Sequence, residues 1–166
     1  ETNFWCLDRM CNAVLCALVA VTGGCAVIDA WCGVLLGVVA CVVYELSSHM
    51  MVRFRLDDPV DGFAVHGCGG ALGILWIGLF AKPSHLATMG YSTCCPGLFM
   101  GGGFDLLGVQ LVGLLYVIAI TVVAGLLVFL PLSLTGRLKV SLLDELAGLD
   151  VAKHGGSAYP EWDKSV

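Results

Sequence analysis

Four runs without a single Asp, Glu, Lys or Arg dominate this chain. Met10 to Ile28 is uncharged over 19 residues, Ala30 to Tyr44 over 15, Gly62 to Ala81 over 20 and Leu106 to Gly136 over 31. A membrane-spanning helix needs about 20 consecutive, mainly apolar residues. The second run reaches that length if it takes in Glu45 near one interface and continues to His49. The fourth, at about 1.5 Å per residue, outruns the bilayer core and is expected to tilt or protrude. The runs predict four spans, near residues 10–29, 30–49, 58–81 and 104–136. The fold class that follows is all-α, a polytopic membrane helix bundle with lipid as its solvent.

Charge supports this reading. Only 13% of residues are charged and 58% are hydrophobic, whereas a soluble domain carries about 25% charged residues. Nothing points to nucleic acid, since the net charge is -5 and no basic stripe exists. Arg9, Arg53, Arg55, Arg137 and Lys139 flank one side of the membrane if the spans alternate, and Lys82 alone flanks the other. Lys and Arg collect on the cytoplasmic side, so both termini are expected there, with residues 137–166 as a cytoplasmic tail. Asp29 and the Gly-, Ser-, Thr- and Pro-bearing segment 82–104, expected to be a loop with a short buried stretch, fall on the opposite side. Glu1 to Asp8 does not read as a signal peptide, and a start at Glu1 suggests a piece of something longer or a processed product.

Glycines recur inside the spans. Gly33 with Gly37, and Gly69 with Gly73, form small-xxx-small pairs that let helices approach closely in lipid. The cysteines lie mostly in apolar runs, where Cys acts as a small hydrophobe. Neither His66-x-Cys68 nor Cys94-Cys95 completes a metal-binding spacing, and His49-Met50-Met51 at a helix end reads as interfacial packing. Asn12 and Gln110 read as interhelical glue. No metal or cofactor is expected, and no nucleophile–base pair suggests an enzyme.

The third span opens Asp57-Asp58-Pro59-Val60-Asp61. Asp58 is a natural N-cap with Pro59 at the first helical position, and Asp61 then faces the helix dipole from the third. His66 follows about two turns in. An ionisable group inside a span is expensive and marks a cavity, a partner or a pathway. Helical spacing places Gly62, Phe63, Gly70 and Gly73 on its side, a narrow face of mostly absent side chains that suits a thin channel. Imidazole both donates and accepts and titrates near neutral pH.

At DDPVDGFAVHG (Asp57 to Gly67) the chain resembles the ammonium transporter family, known as Amt, Mep and Rh, and its Amt and Mep branch in particular. The resemblance continues through LVAVTGGCAVIDAWCGVLLG (Leu18 to Gly37), GGGFDLLGVQLVG (Gly101 to Gly113) and GLDVAKHGGSAY (Gly148 to Tyr159), in the family's order. It implies the last four helices and the tail of an eleven-helix fold of two inverted halves, assembled as a homotrimer in the plasma membrane with a pore in each subunit. It maps His66 onto the second of two pore histidines. Asp57, Asp58 and Asp61 fall on the acidic helix start, whose role is structural. Gly148, Asp150, His154, Gly155 and Tyr159 fall on the tail motif, where a cytoplasmic regulator would act. The first histidine, a paired phenylalanine gate and an outer Trp/Ser site belong to preceding helices. The sequence departs from the family at Asp29-Ala30, where many members have an acid-Pro pair, and at Ala152, where many plant relatives carry a phosphorylatable Thr. Two functions are implied: passage of ammonium or ammonia, or a non-transporting ammonium sensor or assembly subunit.

Overall fold

The computed structural model describes residues 6–91 and 95–156. Among them only helices and turns occur: α1 (Leu7–Thr22), α2 (Ala30–Arg53), a π-helical turn (Phe63–Cys68) running directly into α3 (Gly69–Phe80), α4 (Pro83–Thr88), a 3-10 turn (Leu98–Met100), α5 (Asp105–Leu134), α6 (Leu142–Ala147) and α7 (Leu149–Lys153). The chain divides into two compact units, residues 1–117 and 118–166, and α5 runs through the division.

Among the described residues three helices are long and apolar enough to cross a membrane: Ala30–Arg53, Phe63–Phe80 and Asp105–Leu134. The first expected span behaves differently. It begins earlier, at Leu7, and Arg9 in its first turn pairs with Glu45 of α2 at 2.8 Å. It also ends at Thr22, where Gly23 and Gly24 break an uncharged run that otherwise reads as continuous, so α1 has 16 residues. Residues 23–29 form a turn that buries Val27 and Ile28. α5, with 30 residues, is about 45 Å long.

In the first unit α1, α2 and the π-turn/α3 helix pack around small side chains. Cys16, Ala20, Cys32, Leu36, Ala40 and Ala64 are buried. The Cys16 thiol reaches the carbonyls of Ala40 at 3.6 Å and Ala64 at 3.8 Å, and so touches both other helices. A Cβ at Gly69 would stand 2.9 Å from the Cys16 sulfur, and one at Gly73 would overlap the Ala20 carbonyl oxygen. Both glycines are therefore the floor of the α1–α3 contact. Gly33 and Gly37 leave only ordinary contact with Val21 and Ala17 of α1. Large apolar side chains of α1, α2 and α5 point outward, and α5 buries none of its residues, as expected where lipid is the solvent.

Segment 82–104 is more structured than expected. Besides α4 and the 3-10 turn it buries Leu86, and Gly97 N–H donates to the Ala81 carbonyl at 2.8 Å. Cys94 lies outside the described residues.

The backbone approach at Gly73 makes a direct prediction. Gly73→Ala should cost about 1–3 kcal/mol through overpacking, read as a lowered melting temperature in detergent. Gly70→Ala, at a position with nothing within 4 Å of an added Cβ, should leave it unchanged.

Candidate functional site

The segment before the His66 helix differs from the expected cap. Pro59 and Val60 form a turn rather than a first helical turn, and helical structure starts at Gly62. The Asp58 carboxylate still satisfies the helix start, from further back, by accepting from Gly62 N–H and Phe63 N–H, each at 2.8 Å. Asp61 is not at the third helical position. It stands just ahead of the helix with φ +55°, a left-handed conformation that Asp tolerates better than most residues. This turn swings its carboxylate away from the dipole toward α2, where Tyr44 donates to it at 2.7 Å and Ser48 at 2.9 Å. Tyr44 and Ser48 are buried, so Asp61 is a tether between helices. Asp57 is exposed.

The next surprise is the π turn over Phe63–Cys68. A π turn holds more residues than an α turn, and such bulges recur at functional sites. Here it contains His66. It also changes the phase of all that follows. Ideal α-helical spacing puts Gly73 beneath His66, but Gly73 instead faces the α1 backbone. The face that remains is Phe63, His66, Gly67 and Gly70. Phe63 and His66 are both exposed in this chain, and the Phe63 ring lies over Gly67, 3.0 Å from where a Cβ would be. His66 has no hydrogen-bond partner among the described residues. The structure thus places Phe63 and His66 on one strip of an apolar helix, bare of side chains at Gly67 and Gly70 and open on its outer side.

The other singled-out residues stand apart from this strip. His49 is exposed, with Nδ1 2.8 Å from the Glu45 carbonyl of its own helix. Asn12 Nδ2 lies at the long distance of 3.5 Å from the Val60 carbonyl. Among the described residues no three His, Cys, Asp or Glu side chains gather as a metal-binding group. In the second unit Ser141 caps α6 by accepting from Asp144 N–H at 3.1 Å. Lys153 pairs with Asp144 at 3.1 Å, and that hydrogen bond, followed by one from the Ser141 hydroxyl to the carboxylate, holds the Asp144 carboxyl below the usual range. Gly148 and Gly155 adopt positive φ, and the Asp150 carbonyl accepts from the N–H of His154 and of Gly156. Tyr159 lies outside the described residues.

A family model described as Ammonium Transporter Family matches residues 2–159. The chain is similar to Ammonium transporter 1 member 2 of Oryza sativa subsp. japonica, 35% identical over 164 residues that cover 98% of this chain and 33% of that protein. It is similar also to Ammonium transporter 1 member 1 of Arabidopsis thaliana, 36% identical over 165 residues, with coverages of 98% and 33%. Among solved structures, Saccharomyces cerevisiae Mep2 superposes with a TM-score of 0.74 at 26% identity, covering 85% of this chain and 32% of that one. The chain spans about a third of the length of these relatives.

The two carboxylates ahead of the helix should differ in weight. Asp58→Ala should cost about 1 kcal/mol, as loss of a cap does. Asp61→Asn should cost about 2 kcal/mol, the scale of charge-assisted hydrogen bonds. Chemical unfolding of the purified protein ranks the two variants.

Proposed function

This chain belongs to the ammonium transporter family, and from that premise we propose that it supplies one wall of a pore that passes ammonium or ammonia across a lipid bilayer. His66 is the central polar group of that wall and Phe63 its apolar neighbour. The observation that carries the reading is the strip itself: an exposed imidazole and an exposed ring on a helix otherwise apolar and locally bare. An imidazole in that setting needs a partner, and the facing wall comes from the part of the fold that precedes this segment in the family.

The chemistry follows from the physical problem. Ammonium is costly to bring out of water into a low-dielectric conduit. An imidazole can accept a hydrogen bond from it, take up its proton, or donate to neutral ammonia, because it has both roles and titrates near neutral pH. A second imidazole across the pore would let a proton be shared rather than buried as an isolated charge. Phe63 would narrow the conduit and keep water out of it. The acids Asp58 and Asp61 act on structure, fixing where the helix begins and where it leans. By the family's pattern the complete protein is a homotrimer in the plasma membrane. Its cytoplasmic C-terminal tail would carry Gly148, Asp150, His154, Gly155 and Tyr159 as the surface read by a regulator.

Replacing His66 by Ala in the full-length transporter should abolish methylammonium uptake at an unchanged amount of protein in the membrane. Wild-type uptake by that variant would remove His66 from the pathway.

A further inference from the structure

At the end of α3 remote from Asp61, a second carboxylate repeats the same arrangement. Asp29, the residue before α2, lies between Oδ1 and Oδ2 contacts to Lys82 Nζ at 3.0 and 2.9 Å, and His85 Nε2 lies 2.9 Å from Oδ1. Asp29 is more than fifty residues from both Lys82 and His85 in the chain. Lys82 follows Ala81, the C-cap of the His66 helix, and its backbone N–H also donates to the Val27 carbonyl at 2.9 Å. The Asp29 side chain is 24% exposed. The hydrogen bond from Lys82, then that from His85, holds its carboxyl below the usual range. A depressed carboxyl stays ionised above its ordinary value of about 3.9 and loses its charge only as pH falls through the lower folded value. Lys82 and His85 are the charged and titratable groups that face it, with buried Cys32 at the third position of α2.

We propose that Asp29 is a positioning residue for the His66 helix, acting through its clasp on Lys82 and His85. Lipid supplies no hydrophobic force that fixes one helix axially against another, and small-residue seams allow sliding. A carboxylate held at both oxygens by one ammonium does fix it, because charge-assisted bonds are short and directional. With Asp61 bound to Tyr44 and Ser48 at one end of the helix and Asp29 bound to Lys82 and His85 at the other, α2 grips the α3 helix at both ends. A slip of one residue would move His66 by about 1.5 Å and turn it by about 100°, which is enough to break any hydrogen bond it makes across a pore.

The inference rests on the transport reading for one of its two readouts. In the full-length protein, Asp29→Asn, Lys82→Met, Asp29→Glu and the exchanged pair Asp29→Lys with Lys82→Asp are compared. Methylammonium uptake is normalised to surface protein, and amide hydrogen exchange is followed across residues 62–81. Asp29→Asn and Lys82→Met should lower maximal uptake severalfold at unchanged KM and speed exchange along the helix, and Asp29→Glu and the exchanged pair should recover both. Should Asp29→Asn not reach the membrane, Lys82→Met carries the comparison. Unchanged uptake and exchange in both would overturn the proposal, and so would faster exchange with unchanged uptake, which marks the clasp as structural only. If the wild type takes up no methylammonium, it is the transport reading that fails. Exchange then decides alone: faster along the helix in Asp29→Asn and recovered in the exchanged pair supports positioning, and unchanged overturns it.

Discussion

The rest of this structure depends on the contact of two backbones. Where α3 crosses α1, Gly73 stands so close to the Ala20 carbonyl that no side chain fits between them, and at Gly69 a Cβ would come within 2.9 Å of the Cys16 sulfur. In water such a seam would be backed by the removal of apolar surface from solvent. In lipid that force is absent, because the alternative neighbour is as apolar as the helix itself. What holds the helices is dispersion at short range and a few polar bonds. The Cys16 thiol on two carbonyls of the other helices belongs to the same economy of small groups.

Close contact fixes distance, whereas the position of the strip depends on rotation and depth. Rotation comes from the π turn at Phe63–Cys68, which sends Gly69 and Gly73 to α1 and leaves Phe63, His66, Gly67 and Gly70 on the outer side. Depth comes from the carboxylates that flank the helix, Asp61 on Tyr44 and Ser48 at one end and Asp29 on Lys82 and His85 at the other. The exposed Phe63–His66 strip and the glycines that meet α1 thus sit on different sides of one helix, and a change in one set need not disturb the other.

Much of the fold was legible in the residues. Uncharged runs outlined α2, the His66 helix and α5, because in lipid an Asp or Lys marks where a span ends. The end of α1 was not legible, since Gly23-Gly24 lies inside a run as uncharged as any helix, and only the packing of the following turn makes it stop there. The spacing of Phe63 and His66 on one side could be read, but the loss of Gly73 from that side could not. A π turn has no sequence signature of its own; it is set by how the neighbouring helices pack. The acids at the helix start were visible as a cap, yet the left-handed turn at Asp61 that aims its carboxylate at Tyr44 is a tertiary outcome. Asp29 and Lys82 stood out as isolated charges at span ends on one side of the membrane, and their pairing with each other and with His85 required the fold.

The central claim is that the His66 strip is one wall of a conduit whose other wall lies in the preceding part of the fold. The most direct test is an electron cryo-microscopy structure of the full-length protein in a lipid nanodisc. The account predicts the Phe63–His66 strip turned inward, with the His66 imidazole within about 3 Å of a polar side chain from the preceding helices and a narrow passage alongside. A strip facing lipid or buried in a solid helix contact, with no passage beside His66, would contradict it.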